Sequence, residues 1–309
     1  GELSGTLTEA NSPYIVTESV VVPADQTLTI EAGVIIKMTV VRQSRTLPVE
    51  FTVEGAVVAE GTVEDPIIFT SLHDDCHGGD TNGDGQDSEA LPGDWGRLRL
   101  INSGDSALAH VQIYYGGSGN APGLNNDRAA EGALFVEGQR APETMASITA
   151  AFSRGRGAWL EVTGGFPWSL DGGAFFNNGE GFAAGRDPEQ QRGLEVSGAE
   201  ARVELRDLRI EDNAGGGLAV ESAEAITANR LTIRRNGGDG ALFETPERLE
   251  MAVSRIQEHR GHRALVVLNA SPEEYGAAKS ERIGQYSYTL GAGASAIIQR
   301  AIQERADIL

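Results

Sequence analysis

Cysteine, aromatic side chains, positive charge and long apolar runs are all scarce in this chain of 309 residues. Cys76 is the single cysteine, so no disulfide forms within the chain, and one cysteine does not decide the compartment. Aromatics make up 6% of residues, which leaves aliphatic side chains to build a core. Lys and Arg number 25 against 45 Asp and Glu, a formal charge of −20. That balance excludes nucleic acid as a partner, because such binding needs a basic stripe. It also disfavours anionic membranes and strongly acidic polysaccharides, unless a cation bridges them. No apolar run reaches the ~18 residues that a spanning helix needs. The opening Gly1-Glu2-Leu3-Ser4 lacks the basic and apolar start of a signal peptide and an initiator methionine. The expectation is a mature or trimmed form, with a fragment of a longer surface protein left open.

Glycine, by contrast, is abundant at 40 residues, as expected for a fold with many tight turns. A period accompanies it. Ile210, Ile233 and Ile256 are 23 residues apart, and so are Phe152 and Phe175. Three residues after each isoleucine stand Asn213, Asn236 and His259; ten residues after stand Val220, Phe243 and Val266. Asn178 follows Phe175 by three, and the step of 35 from Phe175 to Ile210 fits one turn plus an insertion near Asp187–Gly193. A fixed period of this size means a solenoid, with the apolar row stacked inward.

The repeat unit is extended. Val203–Ile210 and Ala228–Arg234 alternate apolar and polar residues, the strand signal. Turn clusters such as Asn236-Gly237-Gly238-Asp239-Gly240 follow, then short strands such as Leu218–Val220 and Ala241–Phe243. Two or three strands per 23 residues with no helix between them give a parallel β-helix. The Leu-rich consensus and helix of leucine-rich repeats are missing. Asn178, Asn213 and Asn236 are expected to stack as an amide ladder, continued by His259. Outward rows predict ion pairs one coil apart: Asp207 with Arg230, Glu211 with Arg234, and a column of Asp212, Arg235 and Glu258.

A solenoid needs caps. Residues 1–11 read as part of the N-terminal cap and Ser12–Met38 as the opening coils. In Ala292–Leu309, the spacing of Ile297, Ile298, Ala301, Ile302, Arg305 and Ile308 predicts an amphipathic helix over the last coil. The domain reading is therefore a β-helix over 1–291, with a loop inserted at about 72–94, and a capping helix over 292–309.

Several stretches resemble secreted bacterial right-handed parallel β-helix proteins of the pectin-lyase-like fold. They are Ser12–Met38, Gly55–Ser71, Gly78–Gly85 followed by Gly93-Asp94-Trp95-Gly96, and Leu108–Gly117. The likeness covers about residues 3–117; beyond that only the coil pattern carries over. It implies an all-β, single-stranded right-handed parallel β-helix, secreted or at a bacterial cell surface. It implies no single activity, because such proteins include lyases, hydrolases, binding proteins and adhesins.

Asp80-Thr81-Asn82-Gly83-Asp84-Gly85 carries the strongest chemical signal. Oxygen ligands at positions 1, 3 and 5 with glycine at 6 match the start of a calcium loop of the EF-hand type. Gln86 would offer its carbonyl at position 7. The twelfth position is Leu91 rather than Glu, so Glu89, Asp87, Asp75 or Asp94 would complete the shell. The candidate ligands are Asp80, Asn82, Asp84, Gln86, Glu89 and Asp94, the candidate cofactor is Ca²⁺, and a metal-free Gly/Asp-rich turn is the plain alternative. The ligand types in His73-Asp74-Asp75-Cys76-His77 suit zinc, but their spacing is too tight for an ordinary structural site.

For catalysis the residues offer less. A pectate-lyase-like reaction would use carboxylate-bound Ca²⁺ and an arginine base, with Arg154, Arg156, Arg209 and Arg255 as candidates. Arg260-Gly261-His262-Arg263 and Arg255-Ile256-Gln257 depart from pectin-hydrolase motifs, and no serine elbow or phosphate loop is present. Trp95 is expected to pack beneath the loop, and Trp168 to be the most exposed tryptophan. The reading is an extracellular or cell-surface binding and structural module with polysaccharide as candidate partner. A Ca²⁺-dependent polysaccharide lyase and a self-assembling fibre protein are the alternatives.

Overall fold

The computed structural model of the protein describes residues 1–40, 47–118, 132–180, 191–198, 201–244, 248–252, 255–257, 265–268, 279–283 and 286–290. Among them there are strands, one 3-10 turn at Glu9–Asn11 and no α-helix. Almost all pairing is parallel, in an 11-stranded sheet and a 15-stranded sheet. The 15-stranded sheet is folded along its length. Thr144–Ala151, Trp168–Phe176 and Arg202–Glu211 run through the fold as continuous strands, each bent at a residue of positive φ: Ser147, Gly172 and Asp207. In other coils the same corner separates two strands, at His110 and at Arg230. These corner residues stack, because Ala109, Ala146, Asp171, Arg206 and Asn229, the residues just before them, are partners in register. Each coil thus has three faces: one strand of the flat sheet, then two of the folded sheet.

Alternation sets which side chains enter. Ile210 faces Ile233 and Ile233 faces Ile256, all fully buried. Phe175 faces Ile210, and Val220 faces Phe243, in the same interior column arrangement. A step of 23 holds along this part of the chain, but Leu134 faces Ala158 at 24 and Ala158 faces Leu194 at 36. Two sequence expectations shift accordingly. Phe175 pairs with Ala150, so Phe152 lies outside the inward row, at a positive-φ corner of the surface. Phe243 pairs with Val267 rather than Val266, and a one-residue offset exchanges the two faces of a strand.

The amide ladder is present. Asn178 Nδ2 donates to the carbonyl of Ala150 at 3.0 Å and to Asn213 Oδ1 at 2.9 Å, and the Asn178 N–H donates to that same Oδ1 at 3.1 Å. Asn213 repeats the pattern with Phe175 O and Asn236 Oδ1, and Asn236 Nδ2 reaches Ile210 O at 3.1 Å. Ser153 heads the row, donating its N–H to Asn178 Oδ1 at 3.0 Å. Each buried backbone group at this corner gains a partner from the next coil. His259 and Glu258 lie outside the described residues, as do residues 187–190 of the expected insertion and 292–309 of the expected capping helix. The ion pairs Asp207–Arg230, Glu211–Arg234 (2.5 Å) and Asp212–Arg235 (2.5 Å) all form across coils.

Candidate functional site

Between the strand Ile67–Ser71 and the strand Leu98–Ile101 runs a long excursion without strands. Its anchoring is polar and buried. Thr70 Oγ1 donates to Asp74 Oδ2 at 2.5 Å, His77 Nδ1 lies 2.7 Å from the same oxygen, and Ser71 Oγ donates to Asp94 Oδ2 at 2.6 Å. Trp95 is fully buried beneath, its Nε1 donating to Tyr114 O at 2.7 Å, as the sequence predicted. Burial alone would raise the Asp74 carboxyl, but hydrogen bonds from His77, Thr70 and the Cys76 N–H outweigh it and hold Asp74 below the usual carboxylate range.

At the tip, Asp80 folds the loop around its own carboxylate. Its oxygens accept the N–H groups of Gly83 (2.7 Å), Asp84 (3.2 Å) and Gly85 (2.9 Å). The Gly85 N–H contributes most to holding Asp80 below its ordinary pKa, opposed by partial desolvation. Gly83 and Gly85 both sit at positive φ, which this tight wrap requires. The positions of Asn82 and Asp84 follow. Asn82 Nδ2 donates to Asp84 Oδ2 at 2.8 Å and to Ser88 Oγ at 3.0 Å, and Ser88 Oγ donates to Asp84 Oδ2 at 2.5 Å. Asn82 is thereby turned with its carbonyl oxygen away from these partners.

Three carboxylates converge here: Asp75, Asp80 and Asp84 each offer an oxygen within 4.8 Å of the others. Two oxygens bound to one Ca²⁺ at 2.3–2.6 Å cannot lie more than about 5 Å apart, so the cluster has the right size. The second observation is chemical. Asp75 Oδ1, Asn82 Oδ1 and Asp84 Oδ1 are enclosed, yet have no hydrogen-bond partner. Such atoms are costly to bury, and all three are oxygens of the kind a hard divalent cation takes. The residues present therefore fit an oxygen-bound cation.

The sequence named Asp80, Asn82 and Asp84 together, and the structure brings them together with Asp75. Glu89 is exposed and outside the carboxylate cluster, and Gln86, expected to act through its backbone carbonyl, is exposed. Asp94 is buried and occupied elsewhere, accepting from Ser71 Oγ and from the Leu91 N–H. One feature went unread. Lys37, on the strand Ile35–Met38, is fully buried under the loop and donates to Gly79 O at 2.5 Å. Burial lowers its pKa, opposed by Asp74, Asp75 and Asp80. A lone lysine in an apolar strand was the available signal.

Other candidates are dispersed. Arg154 is exposed, Arg156 is buried and bound through two nitrogens to Glu195 (2.6 and 3.2 Å), and Arg209 pairs with Glu211 at 2.8 Å. Arg255 contributes only backbone to the described residues, and Arg260–Arg263 lie outside them. Trp168 is buried rather than exposed, because it opens the strand Trp168–Phe176 on its inward phase; Phe166, two residues earlier, is 58% exposed instead. Both line a groove at the turn between the two sheets.

Residues 1–122 match the family model described as Pectate-lyase like beta helix domain. The N-terminal part of this chain is similar to that family, and its parallel coils agree with a β-helix. The match includes the whole excursion between Ser71 and Leu98 with its carboxylate cluster. No curated protein and no solved structure matches the chain. Among the described residues no helix is long and apolar enough to cross a membrane.

Proposed function

We propose that the protein is a binding and structural β-helix module, secreted or at a cell surface, whose long loop is pinned by Ca²⁺. The observation that carries this reading is the convergence of Asp75, Asp80 and Asp84 together with the unpartnered, enclosed oxygens of Asp75, Asn82 and Asp84. Asp80 would hold the loop's turn through its three accepted N–H groups while presenting an oxygen to the ion. Asn82 and Asp84, tied to each other and to Ser88, would keep their free oxygens aimed together. The role is structural. No helices flank the loop among the described residues, so it lacks the lever of a calcium sensor. The ion supplies positive charge that lets crowded carboxylates stay ionised.

The test is thermal unfolding in EDTA and then in excess Ca²⁺. A ligand that binds only the folded state raises the midpoint by mass action, by about 2.7 kcal/mol at a hundredfold excess over Kd. The expected outcome is a calcium-dependent rise that disappears in Asp84→Ala and in Asp75→Ala. An equal midpoint with and without Ca²⁺ refutes the pinned loop. Release of unsaturated uronate products from any polysaccharide would refute the non-catalytic role and return the lyase alternative.

A further inference from the structure

The tip of the long loop carries a reactive linkage besides its carboxylates. Asparagine followed by glycine is the pairing in which the next backbone nitrogen most readily attacks the side-chain amide, because glycine puts no Cβ in the way. The chain has three such pairs: Asn82-Gly83, Asn178-Gly179 and Asn236-Gly237. Two are built into the amide ladder. Asn178 and Asn236 are fully buried, and the N–H groups of Gly179 and Gly237 donate to the carbonyls of Ser153 and Asn213, each at 2.8 Å. The packed interior of the solenoid fixes them. Asn82-Gly83 stands at an exposed tip instead, where a Cβ on Gly83 would meet nothing within 4 Å. It is held by the loop's own polar wrap. The Gly83 N–H is turned to Asp80 Oδ1 at 2.7 Å, and Asn82 Nδ2 is tied to Asp84 Oδ2 and Ser88 Oγ.

Attack requires the Gly83 nitrogen to give up its proton to water or hydroxide and to approach Asn82 Cγ. In the wrapped loop that nitrogen faces a carboxylate, so its anion would form against a negative charge. The departing amide is held by two partners at the same time. These restraints end on Asp80 and Asp84, two of the three carboxylates that converge on the proposed ion. Without an ion, Asp75, Asp80 and Asp84 repel one another across no more than 4.8 Å, which favours local opening of the loop. We infer that Asn82 is a deamidation site gated by the ion, protected while the loop is pinned and reactive once it opens. The Gly83 nitrogen bonds to Asn82 Cγ, the side-chain amide leaves as ammonia, and the resulting succinimide takes up water to give aspartate or isoaspartate at position 82. Neither product restores the loop. Aspartate adds a further carboxylate to the cluster. Isoaspartate lengthens the backbone between Asp80 and the three N–H groups that it gathers. The inference rests on the calcium reading of this loop, and specifies how loss of the ion becomes a lasting chemical record.

The experiment incubates the full chain at mildly alkaline pH, in EDTA and in excess Ca²⁺, and follows the amide-to-acid mass gain by peptide mapping and the ammonia released. Asn82 is expected to convert in EDTA while Asn178 and Asn236 do not. Ca²⁺ at a hundredfold excess over Kd suppresses opening about a hundredfold, so conversion should slow by at least ~tenfold. Asp75→Ala, which removes none of the link's hydrogen-bond partners, should convert in Ca²⁺ as fast as in EDTA. Asn82→Gln, whose longer side chain closes the ring far less readily, should abolish the signal. An Asn82 that stays intact in EDTA while the urea-unfolded chain converts overturns the inference. So does conversion as fast in Ca²⁺ as in EDTA, or conversion of Asn178 in step with Asn82. The unfolding midpoint is read alongside. If Ca²⁺ raises it while Asn82 stays intact in EDTA, the modification site is wrong and the pinned loop stands. If Ca²⁺ moves neither midpoint nor conversion, the pinned loop falls and the gate falls with it.

Discussion

Lys37 concentrates the electrostatic question into one side chain. Its buried ammonium sits among Asp74, Asp75 and Asp80, where it partly compensates carboxylates that an ion would also neutralise. Ammonium and the proposed ion would therefore compete in the same local field. Replacing it, as Lys37→Met, should lower the unfolding midpoint in EDTA and enlarge the rise produced by Ca²⁺; a rise equal to or smaller than that of the unaltered protein would show that Lys37 and the ion do not share a field. Acid acts through Asp80 and Asp74. Both have folded pKa values below the unfolded 3.8, so they contribute stability at neutral pH that is lost as pH falls through the folded values. Denaturant midpoints in EDTA should drop below about pH 4, and drop less in Asp80→Asn, as monitored by circular dichroism. The clustering of Asp80, Asn82 and Asp84 was legible in sequence because they are close together in the chain. Asp75 was one of several open choices, because loop closure between Asp75 and Asp80 depends on two glycines, Gly78 and Gly79, whose positive φ sequence alone does not reveal.

At the level of elements, pairing between coils decides what can be read. The Asn178, Asn213 and Asn236 row was legible because the same corner recurs with the same geometry. Its complement was not. Gly193 and Gly217 sit directly against this ladder, and a Cβ on Gly217 would lie 2.7 Å from Asn236 Nδ2 and 2.4 Å from Gly240 O. These glycines look like ordinary turn residues until the ladder is in place. Removing a rung exposes what it does. Asn213→Ala strips partners from the Asn178 N–H and from Phe175 O, both buried, at roughly 1–3 kcal/mol for each orphaned group. The expected loss is about 2–4 kcal/mol in chemical denaturation, and a loss under about 0.5 kcal/mol would show that water replaces the amide. The exposed pair Asp207–Arg230 is of the kind worth about 0–1 kcal/mol, so it serves register more than stability. Phe152 and Val266 misled for one reason: a 23-residue period was carried into coils whose pairing steps are 25 and 24. Trp168 misled because nearby glycines suggested a loop where a strand begins.

Across the whole molecule, the three corners of the coil are not equivalent. From His110 to Leu231, the bend within the folded sheet is one or two residues wide, at His110, Ser147, Gly172, Asp207 and Arg230–Leu231. The turns leaving the flat sheet stay short too, from Val53 to Ala56 and from Val220 to Ala225. Length varies at the remaining corner. Glu211 connects to Leu218 and Arg234 to Ala241 tightly, whereas Ser71 connects to Leu98 through the acidic excursion. The solenoid thus has two edges where connections among the described residues stay within about six residues and one where a much longer segment is added without moving any strand. Loop-closure entropy rises slowly with length, so such additions cost little. New chemistry can be acquired along that one edge coil by coil, as separate grafts, while the interior ladder and the isoleucine column keep their register.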